Sequence, residues 1–269
     1  MAAPAETPLQ PSKLAESPSP SSPPVALPEV SDRAGQGPEY CLVDDGGAWQ
    51  PVRLREDCLL WEWPGAYEYL VRELLEGDAA RTICGMLGET MRAAGDHINR
   101  LRVLNLGAGN GWVGGELAEV GAEWILGVDR SPTAAAATER DNPGIYADYL
   151  VMDMRRLSET QRDRLMHYDF NCLACVDPLA ADEPAPNAFT EAFNLLAPEG
   201  WVAFHVREDA LHGESDSRFA PLVQQMAENG AISLHDRQRY RHRLTTRGTP
   251  LVHVAFIGRK QRDFDPAER

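Results

Sequence analysis

Three glycines and one aspartate are the residues of this chain whose types and spacing indicate chemistry. Gly107, Gly109 and Gly111 occupy alternate positions after a short apolar run, and Asp129 closes the next apolar run. Glycine is needed where the backbone takes a positive φ, or where a ligand comes too close for a Cβ. An acid at the end of the neighbouring strand can accept hydrogen bonds from ribose hydroxyls. The spacing therefore predicts a nucleotide-binding loop followed by a ribose-binding carboxylate.

The elements that must position these residues form half of a βαβ unit. The apolar run from Leu101 to Leu106 is long enough for a buried strand and too short for a helix. Residues 112–120 are predicted to form a helix, and the run from Trp124 to Val128 a second strand. Backbone amides at the start of that helix would face the ligand and favour its anionic part.

The glycine spacing is compatible with two cofactors. Residues 109–114 fit G-x-G-x-x-G, and Asp129 lies 20 residues beyond Gly109, as in a dinucleotide site. However, the first glycine of a dinucleotide motif lies at the end of the strand, and here that residue is Gly107. When the motif is counted from Gly107, its third glycine position is occupied by Trp112. A nicotinamide site is therefore one of two alternatives, and features elsewhere in the chain must distinguish between them.

The composition restricts the class of function. A net charge of −15 and a pI near 4.9 argue against a nucleic-acid groove, which needs basic patches. No apolar run reaches the roughly 18 to 20 residues of a transmembrane helix, and the N-terminus has no features of a signal or transit peptide. The five cysteines are scattered and form no disulfide framework. We therefore expect a cytoplasmic protein with no nucleic-acid and no membrane partner.

Three segments are predicted along the chain. Residues 1–38 are rich in Pro, Ser and Ala and are expected to form a disordered tail. Residues 39–98 are expected to form an N-terminal arm and a helical cap, with a helix over 66–76 that ends at Gly77. Residues 99–262 are expected to form one α/β domain.

Strands and helices continue to alternate through that domain. A third strand ends in Asp153, a fourth covers residues 169–176 and a fifth covers residues 201–206. Two long strands, over 231–245 and 250–260, are joined by a hairpin turn. The pattern predicts an α/β fold with a doubly wound, seven-stranded, mostly parallel sheet and an antiparallel C-terminal hairpin strand. Ligands of such sheets bind beyond the carboxyl ends of the strands.

Several of these motifs resemble those of the class I (Rossmann-like) S-adenosylmethionine-dependent methyltransferases. The resemblance is carried by the run NLGAGNG at 105–111, by Asp129 and Asp153, and by LLAPEGW at 195–201. It covers about residues 101–259 and implies S-adenosyl-L-methionine as the cofactor. A nicotinamide dehydrogenase needs neither the second acid nor the final hairpin, so the methyltransferase interpretation is favoured.

The resemblance also implies which residues bind the cofactor. The glycine loop would hold the methionine end, Asp129 the ribose and Asp153 the adenine amino group. Asn105 departs from the family's usual Asp or Glu; it either accepts a hydrogen bond near the ammonium group or only ties the turn. The expected cofactor-binding residues are Asn105, Gly107, Ala108, Gly109, Asn110, Gly111, Trp112, Asp129, Arg130, Asp153, Met154 and Cys175.

A sulfonium methyl group is already activated, so the protein supplies positioning, exclusion of water and, for some acceptors, a base. The segment after the fourth strand lacks the [DN]-P-P-[FYW] signature of nucleobase methyltransferases, which disfavours base methylation. Each group of candidates has a structural alternative. The alternative for His205 is a buried histidine whose hydrogen bonds are satisfied, and for Glu208, Asp209 and His212 it is a solvated charged loop. The alternative for Trp63 and Tyr67 is packing within the cap. The candidate catalytic residues are His205, Glu208, Asp209 and Asp177, and the candidate substrate contacts are Trp63, Tyr67, Arg207 and His212.

No metal ligand set is expected. Cys172 and Cys175 form a C-x-x-C inside an apolar strand, where positions three apart point to opposite faces, so we expect buried structural cysteines. His235, His242 and His253 lie on the closing hairpin among alternating arginines. This pattern is typical of a solvated strand face; a docking surface or the edge of a homodimer is the alternative.

Together these features predict a methyltransferase that uses S-adenosylmethionine and acts on a small soluble acceptor, on oxygen or nitrogen rather than carbon. Two alternatives stay open. One is an NAD(P)-dependent oxidoreductase, and the other is a methyltransferase-fold protein that binds the cofactor without methylating.

Overall fold

The computed structural model describes residues 11–13, 17, 19–29, 39–44, 46–177 and 185–266. The chain divides into two compact units. Unit 1 comprises Met1–Gly77 and Arg243–Leu251, and unit 2 comprises Asp78–His242 and Val252–Arg269. The division differs from the predicted boundary at residue 98, because the helix that begins at Ala79 belongs to unit 2.

Unit 1 contains a four-stranded antiparallel sheet in the order β1-β2-β3-β4. Val25 and Ala26 are fully buried in the second strand. The predicted disorder of residues 1–38 is therefore wrong where strands form, because a Pro- and Ser-rich composition conceals two short pairing segments. Residues 1–10 and 30–38 of that predicted tail lie outside the described residues. The strands are β1 (Pro11–Lys13), β2 (Val25–Pro28), β3 (Tyr40–Asp44) and β4 (Trp49–Arg53), and a 3₁₀-helix (Leu54–Glu62) follows.

The helix predicted over 66–76 is present in unit 1. It begins as α1 (Ala66–Glu68) and continues as a π-helix (Tyr69–Leu74). The left-handed residue after it is Glu76, with φ 52°, and not the expected Gly77. Gly77 is needed for a different reason, since a Cβ there would lie 2.9 Å from a valine methyl of the preceding turn.

Unit 2 is built on a seven-stranded sheet in the order β10-β11-β9-β8-β5-β6-β7. The neighbouring pairs among β5 to β9 are parallel, whereas β11 pairs antiparallel with β9. The predicted fold class is confirmed. The strands are β5 (Arg102–Leu106), β6 (Trp124–Asp129), β7 (Asp148–Val151), β8 (Cys172–Cys175), β9 (Trp201–Arg207), β10 (Ile232–Leu244) and β11 (Pro250–Lys260).

Local capping explains where several helices of unit 2 begin. Ser158 and Gln161 form the predicted capping box, and Pro132 takes the first turn of its helix behind a Ser131 cap. A short helix directly after β9 is not predicted from the sequence. The helices are α2 (Ala79–Ala93), α3 (Trp112–Glu119), α4 (Pro132–Asp141), α5 (Glu159–Met166), α6 (Pro186–Asn194), α7 (Glu208–Leu211) and α8 (Phe219–Glu228), with 3₁₀ turns at Ile98–Arg100 and Met154–Arg156.

The core of unit 2 is rich in aromatic rings. Phe189 contacts Phe219 edge to face at 4.9 Å, and Phe204 stacks on Phe256 at 5.4 Å between ring centroids. Cys172 and Cys175 are buried free thiols, as predicted. Burial raises the pKa of the Cys172 thiol to about 12, so it stays protonated at neutral pH.

The closing hairpin departs from its predicted solvated face. Residues 234–239 of β10 are exposed, as expected. In contrast, His242, Arg243 and His253 are at most 1 % exposed. Sequence alternation shows which residues share a strand face, but it does not show whether another element covers that face.

No helix among the described residues has the length and apolar content needed to cross a membrane.

Candidate functional site

The glycine loop follows β5 and adopts the backbone that its sequence predicts. Gly107, Gly109 and Gly111 have φ values of 73°, 55° and 93°, all in the left-handed region. A Cβ on Gly107 would meet no described atom within 4 Å, whereas one on Gly111 would lie 3.1 Å from Thr138 Cγ2. Glycine is therefore needed at position 107 for its positive φ, beside open space. At position 111 it is needed both for its positive φ and for the close approach of Thr138.

Side chains from other elements hold the carbonyl groups of this loop. The Gly109 carbonyl oxygen accepts hydrogen bonds from Thr138 Oγ1 at 2.9 Å and Tyr149 Oη at 2.7 Å. The Asn110 carbonyl oxygen accepts one from Asn142 Nδ2 at 3.0 Å. Sequence reasoning missed all three donors, because the glycine motif ends before them and only the fold brings them to the loop.

Asp129 links the glycine loop to the end of β6. One carboxylate oxygen accepts from the Gly109 N–H at 3.1 Å, and the other accepts from the Ser131 N–H at 2.9 Å. Burial raises the pKa of Asp129, and these two backbone hydrogen bonds oppose that effect. Each oxygen has a second lone pair, so the carboxylate can still accept from a ribose hydroxyl.

Asn105 lies beneath the loop and not at its surface. Its side chain is fully buried, and Nδ2 donates to Tyr146 Oη at 2.8 Å. Tyr146 Oη in turn lies 3.4 Å from the Ala108 carbonyl oxygen. Of the two predicted roles, this geometry favours tying the turn over a contact with the ammonium group.

The remaining predicted cofactor residues divide by exposure. Ala108, Asn110 and Trp112 are at most 6 % exposed, so the start of α3 offers mainly its backbone amides. Arg130 is exposed. Cys175 is buried in the core, and the cofactor contact predicted for it stays a prediction.

Asp153 follows β7 and is held by its own neighbour. The Arg155 guanidinium donates to both carboxylate oxygens, at 2.8 and 2.6 Å, and the Arg155 N–H adds a bond of 3.0 Å. These hydrogen bonds lower the pKa of Asp153 to about 2. Met154 packs its side chain into the core, so only its backbone is left for an adenine ring. The adenine contact of Asp153 stays a prediction.

The charged residues after β9 are paired with one another. Glu208 accepts from Arg239 at 2.5 and 2.9 Å, and this hydrogen bonding lowers the pKa of Glu208. Asp209 accepts from Arg207 Nε at 3.0 Å. His212 is exposed at the end of α7. A carboxylate with a lowered pKa is a weaker base, which reduces the case for Glu208 as a catalytic group.

Asp177 and His205 meet where β8 and β9 end. The exposed Asp177 donates its backbone N–H to His205 Nε2 at 3.4 Å. His205 Nδ1 lies 2.7 Å from Tyr240 Oη and 3.3 Å from His253 Nδ1. The ring of His242 stacks on that of His253, with centroids 4.0 Å apart. The sequence pointed to His205 but not to this cluster.

Burial sets the protonation of the cluster. Desolvation lowers the pKa of His205 to about 3, so its imidazole is neutral at physiological pH. Burial likewise raises the pKa of Tyr240 well above the usual value for a phenol.

Trp63 and Tyr67 belong to unit 1. Tyr67 is buried against Trp61, with ring centroids 5.8 Å apart, and Trp63 is partly exposed. Packing accounts for Tyr67, and a substrate contact of Trp63 stays a prediction.

The strand order and the loop define the class of unit 2 as a Rossmann-like nucleotide-binding domain. Residues 103–200 match a family model described as a methyltransferase domain. This segment is similar to methyltransferase domains, which supports a class I S-adenosylmethionine-dependent methyltransferase with S-adenosylmethionine as the cofactor. The match favours a methyltransferase over the nicotinamide alternative.

Several solved structures are similar to the chain at low identity. Magnesium protoporphyrin IX methyltransferase from Synechocystis PCC 6803 is 13% identical, with a TM-score of 0.47 and coverage of 67% of this chain and 79% of that one. A Pyrococcus horikoshii protein described as an RNA methyltransferase is 13% identical, with a TM-score of 0.49 and coverage of 66% and 83%. The N-methyltransferase NodS from Bradyrhizobium japonicum WM9 is 14% identical, with a TM-score of 0.46 and coverage of 67% and 96%. No curated protein matches the chain.

The residues present fit the cofactor. Gly107 borders open space that a larger side chain would enter, and the loop carbonyls are turned toward Thr138, Tyr149 and Asn142. The half-buried carboxylate of Asp129 stands at the adjacent strand end. The carboxylate of the cofactor's methionine end would lie beside the N-terminus of α3, and the cofactor's ribose would lie beside Asp129. Both pairs match in charge and in hydrogen bonding.

Proposed function

We propose that this protein transfers a methyl group from S-adenosylmethionine to the oxygen or nitrogen of a small acceptor. The bound cofactor supplies the activated methyl group. The chain's own residues hold the cofactor through the glycine loop and Asp129, and they position the acceptor beyond the ends of β8 and β9.

The observation that carries the choice of acceptor is the charge of this edge. Asp177, Glu208 and Asp209 follow β8 and β9, and the nearby Arg207 and Arg239 are ion-paired with two of these acids. A polyanion approaching here would meet carboxylates, and its phosphates would find paired arginines. The edge therefore favours a neutral or cationic small molecule over a nucleic acid.

Asp177 is our candidate for the group nearest the acceptor. Its side chain is exposed, while its backbone is held by His205. An exposed carboxylate beside the acceptor can orient an amine or take its proton. Arg207, Glu208, Asp209 and His212 then line the rim and contribute to specificity.

The proposal is tested with S-adenosylmethionine that carries an isotopically labelled methyl group. The protein is incubated with fractionated cell metabolites, RNA and protein, and the label is followed in each fraction. We expect label in the small-molecule fraction, with Asp129→Ala as the inactive control and Asp177→Asn as the variant with reduced transfer. Label confined to RNA or protein would contradict the choice of acceptor.

We also propose that the protein works in the cytoplasm. The four cysteines whose side chains the structure describes are free thiols, as a reducing compartment requires. A homodimer stays a prediction, which light scattering on the purified chain checks.

A further inference from the structure

Unit 2 contains a cluster of buried imidazoles that the proposed methyl transfer leaves largely without a role. His205 lies in β9, His242 in β10 and His253 in β11, and each is at most 3 % exposed. One ligand atom of each lies within 4.8 Å of those of the other two. Burying several polar side chains together costs free energy unless they form hydrogen bonds or bind an ion.

We propose that His205, His242 and His253 bind one zinc-type transition-metal ion through their ring nitrogens. Neutral imidazole is a common ligand of such ions, at metal–nitrogen distances of about 2.0–2.1 Å. Two nitrogens at that distance and at a tetrahedral angle are about 3.3 Å apart. The Nδ1 atoms of His205 and His253 are 3.3 Å apart.

The cluster must adjust to hold the ion. The rings of His242 and His253 are nearly parallel, at an interplanar angle of 6°, and two stacked rings cannot both aim a lone pair at one point. One of them therefore tilts on loading. With its Nδ1 on the metal, His205 must carry its proton on Nε2 instead of Nδ1. It then gives up the hydrogen bond between Nδ1 and Tyr240 Oη at 2.7 Å and the bond from the Asp177 N–H, which at 3.4 Å is long and weak.

Three imidazoles leave a fourth position on a tetrahedral ion. Tyr240 Oη lies 2.7 Å from His205 Nδ1 and 3.5 Å from His242 Nδ1, so its phenol borders that position. We assign Tyr240 to the surroundings of the ion and not to its ligands, because a neutral phenol is a poor ligand beside three imidazoles. Zinc sites with three protein ligands keep the fourth position for water or substrate. The metal site itself does not rest on the proposed function.

The test uses the full chain without a histidine tag, stripped with a chelator and then titrated with Co²⁺ as a spectroscopic probe for zinc. We expect one equivalent of Co²⁺ to bind with the visible absorption of a tetrahedral site, and Zn²⁺ to displace it. The melting temperature should rise with saturating Zn²⁺, because the ion binds the folded state.

Variants separate this site from surface histidines. His253→Ala and His242→Ala should each weaken Co²⁺ binding by about 100-fold or more. The matched control His235→Ala removes an exposed histidine of the same hairpin and should leave binding unchanged. Tyr240→Phe keeps the three imidazoles and should bind within a few-fold of wild type.

Two results would overturn the proposal. One is wild-type protein that shows no saturable Co²⁺ absorption. The other is binding that survives in both His242→Ala and His253→Ala, in protein shown to be folded by circular dichroism. Binding of S-adenosylhomocysteine, measured on the same samples, reports separately on the cofactor site, so failure of the metal site is distinguishable from failure of the proposed function.

Discussion

Asp129 does two things with one carboxylate. It fixes the glycine loop through the Gly109 N–H, and it remains able to accept a hydrogen bond from a ribose. Both roles require the ionised form. A protonated carboxyl group would turn one acceptor oxygen into a donor facing another donor.

We predict that affinity for S-adenosylhomocysteine falls on acidification, and that the fall begins above the usual pKa of an aspartate. Burial raises the pKa of Asp129, so this carboxylate takes up its proton earlier than an exposed one. Affinity should be full above the raised pKa and lost as the pH falls through it. Calorimetric titration at a series of pH values measures this effect.

The control for this pH dependence is Asp129→Asn. The variant should bind weakly at every pH, and the acid-dependent fall should disappear. An unchanged pH profile in the variant would assign the titration to another group.

At the scale of elements, α3 must lie close against the segment that carries Tyr146. Gly114 permits this, since a Cβ there would lie 2.6 Å from the Tyr146 ring. The next residue, Gly115, faces open space within 4 Å among the described residues. The two glycines differ only in what they face.

We therefore predict opposite effects for one added methyl group. Gly114→Ala should lower the free energy of unfolding by roughly 1–3 kcal/mol through overpacking. Gly115→Ala should be neutral or raise it by up to about 1 kcal/mol, because alanine favours a helix. Urea unfolding monitored by circular dichroism compares them, and equal effects would refute the packing explanation.

The end of β10 carries a buried ion pair within unit 1. Arg243 has no exposed side-chain surface and donates to both oxygens of Glu39, at 3.1 and 2.7 Å. Burial alone would raise the pKa of Glu39, but the hydrogen bonds and charge of Arg243 outweigh burial and leave it lowered.

We predict that Glu39→Gln lowers the free energy of unfolding at pH 7 by roughly 3–5 kcal/mol, because it leaves a buried cation without its counter-charge. The wild-type contribution should be present above the pKa of an unfolded glutamate. It should be lost as the pH falls through the lowered pKa of Glu39. Urea unfolding at pH 7 and at acid pH measures both effects.

The control for the ion pair is Arg164→Ala, which breaks an exposed pair with Asp148. That change should cost less than about 1 kcal/mol. A similar cost for both variants would show that burial does not set the strength of the Glu39 pair.

At the scale of the whole molecule, the net charge of −15 governs what approaches the protein. A field of this sign repels polyanions and favours neutral or cationic ligands.

We predict no saturable binding of RNA or DNA at physiological salt, measured by gel shift or fluorescence anisotropy. A basic nucleic-acid-binding protein serves as the positive control. Tight binding that weakens steeply with added salt would show that a local basic surface overrides the overall charge.

The sequence determined the parts of this protein that depend on neighbours along the chain. Gly107, Gly109 and Gly111 required positive φ, Asp129 closed a strand and the alternation of apolar runs predicted the sheet, because backbone sterics and periodicity are local properties.

Only the tertiary structure decided what covers each strand face. Val25–Pro28 lies in a segment predicted to be disordered, but the tertiary structure pairs it with the later strand β3. The tertiary structure also turns the Asn105 side chain inward to Tyr146. It also brought His205 and His253 together from positions 48 residues apart. These contacts depend on long-range packing, and burial and hydrogen-bond partners are properties of that packing and not of local sequence.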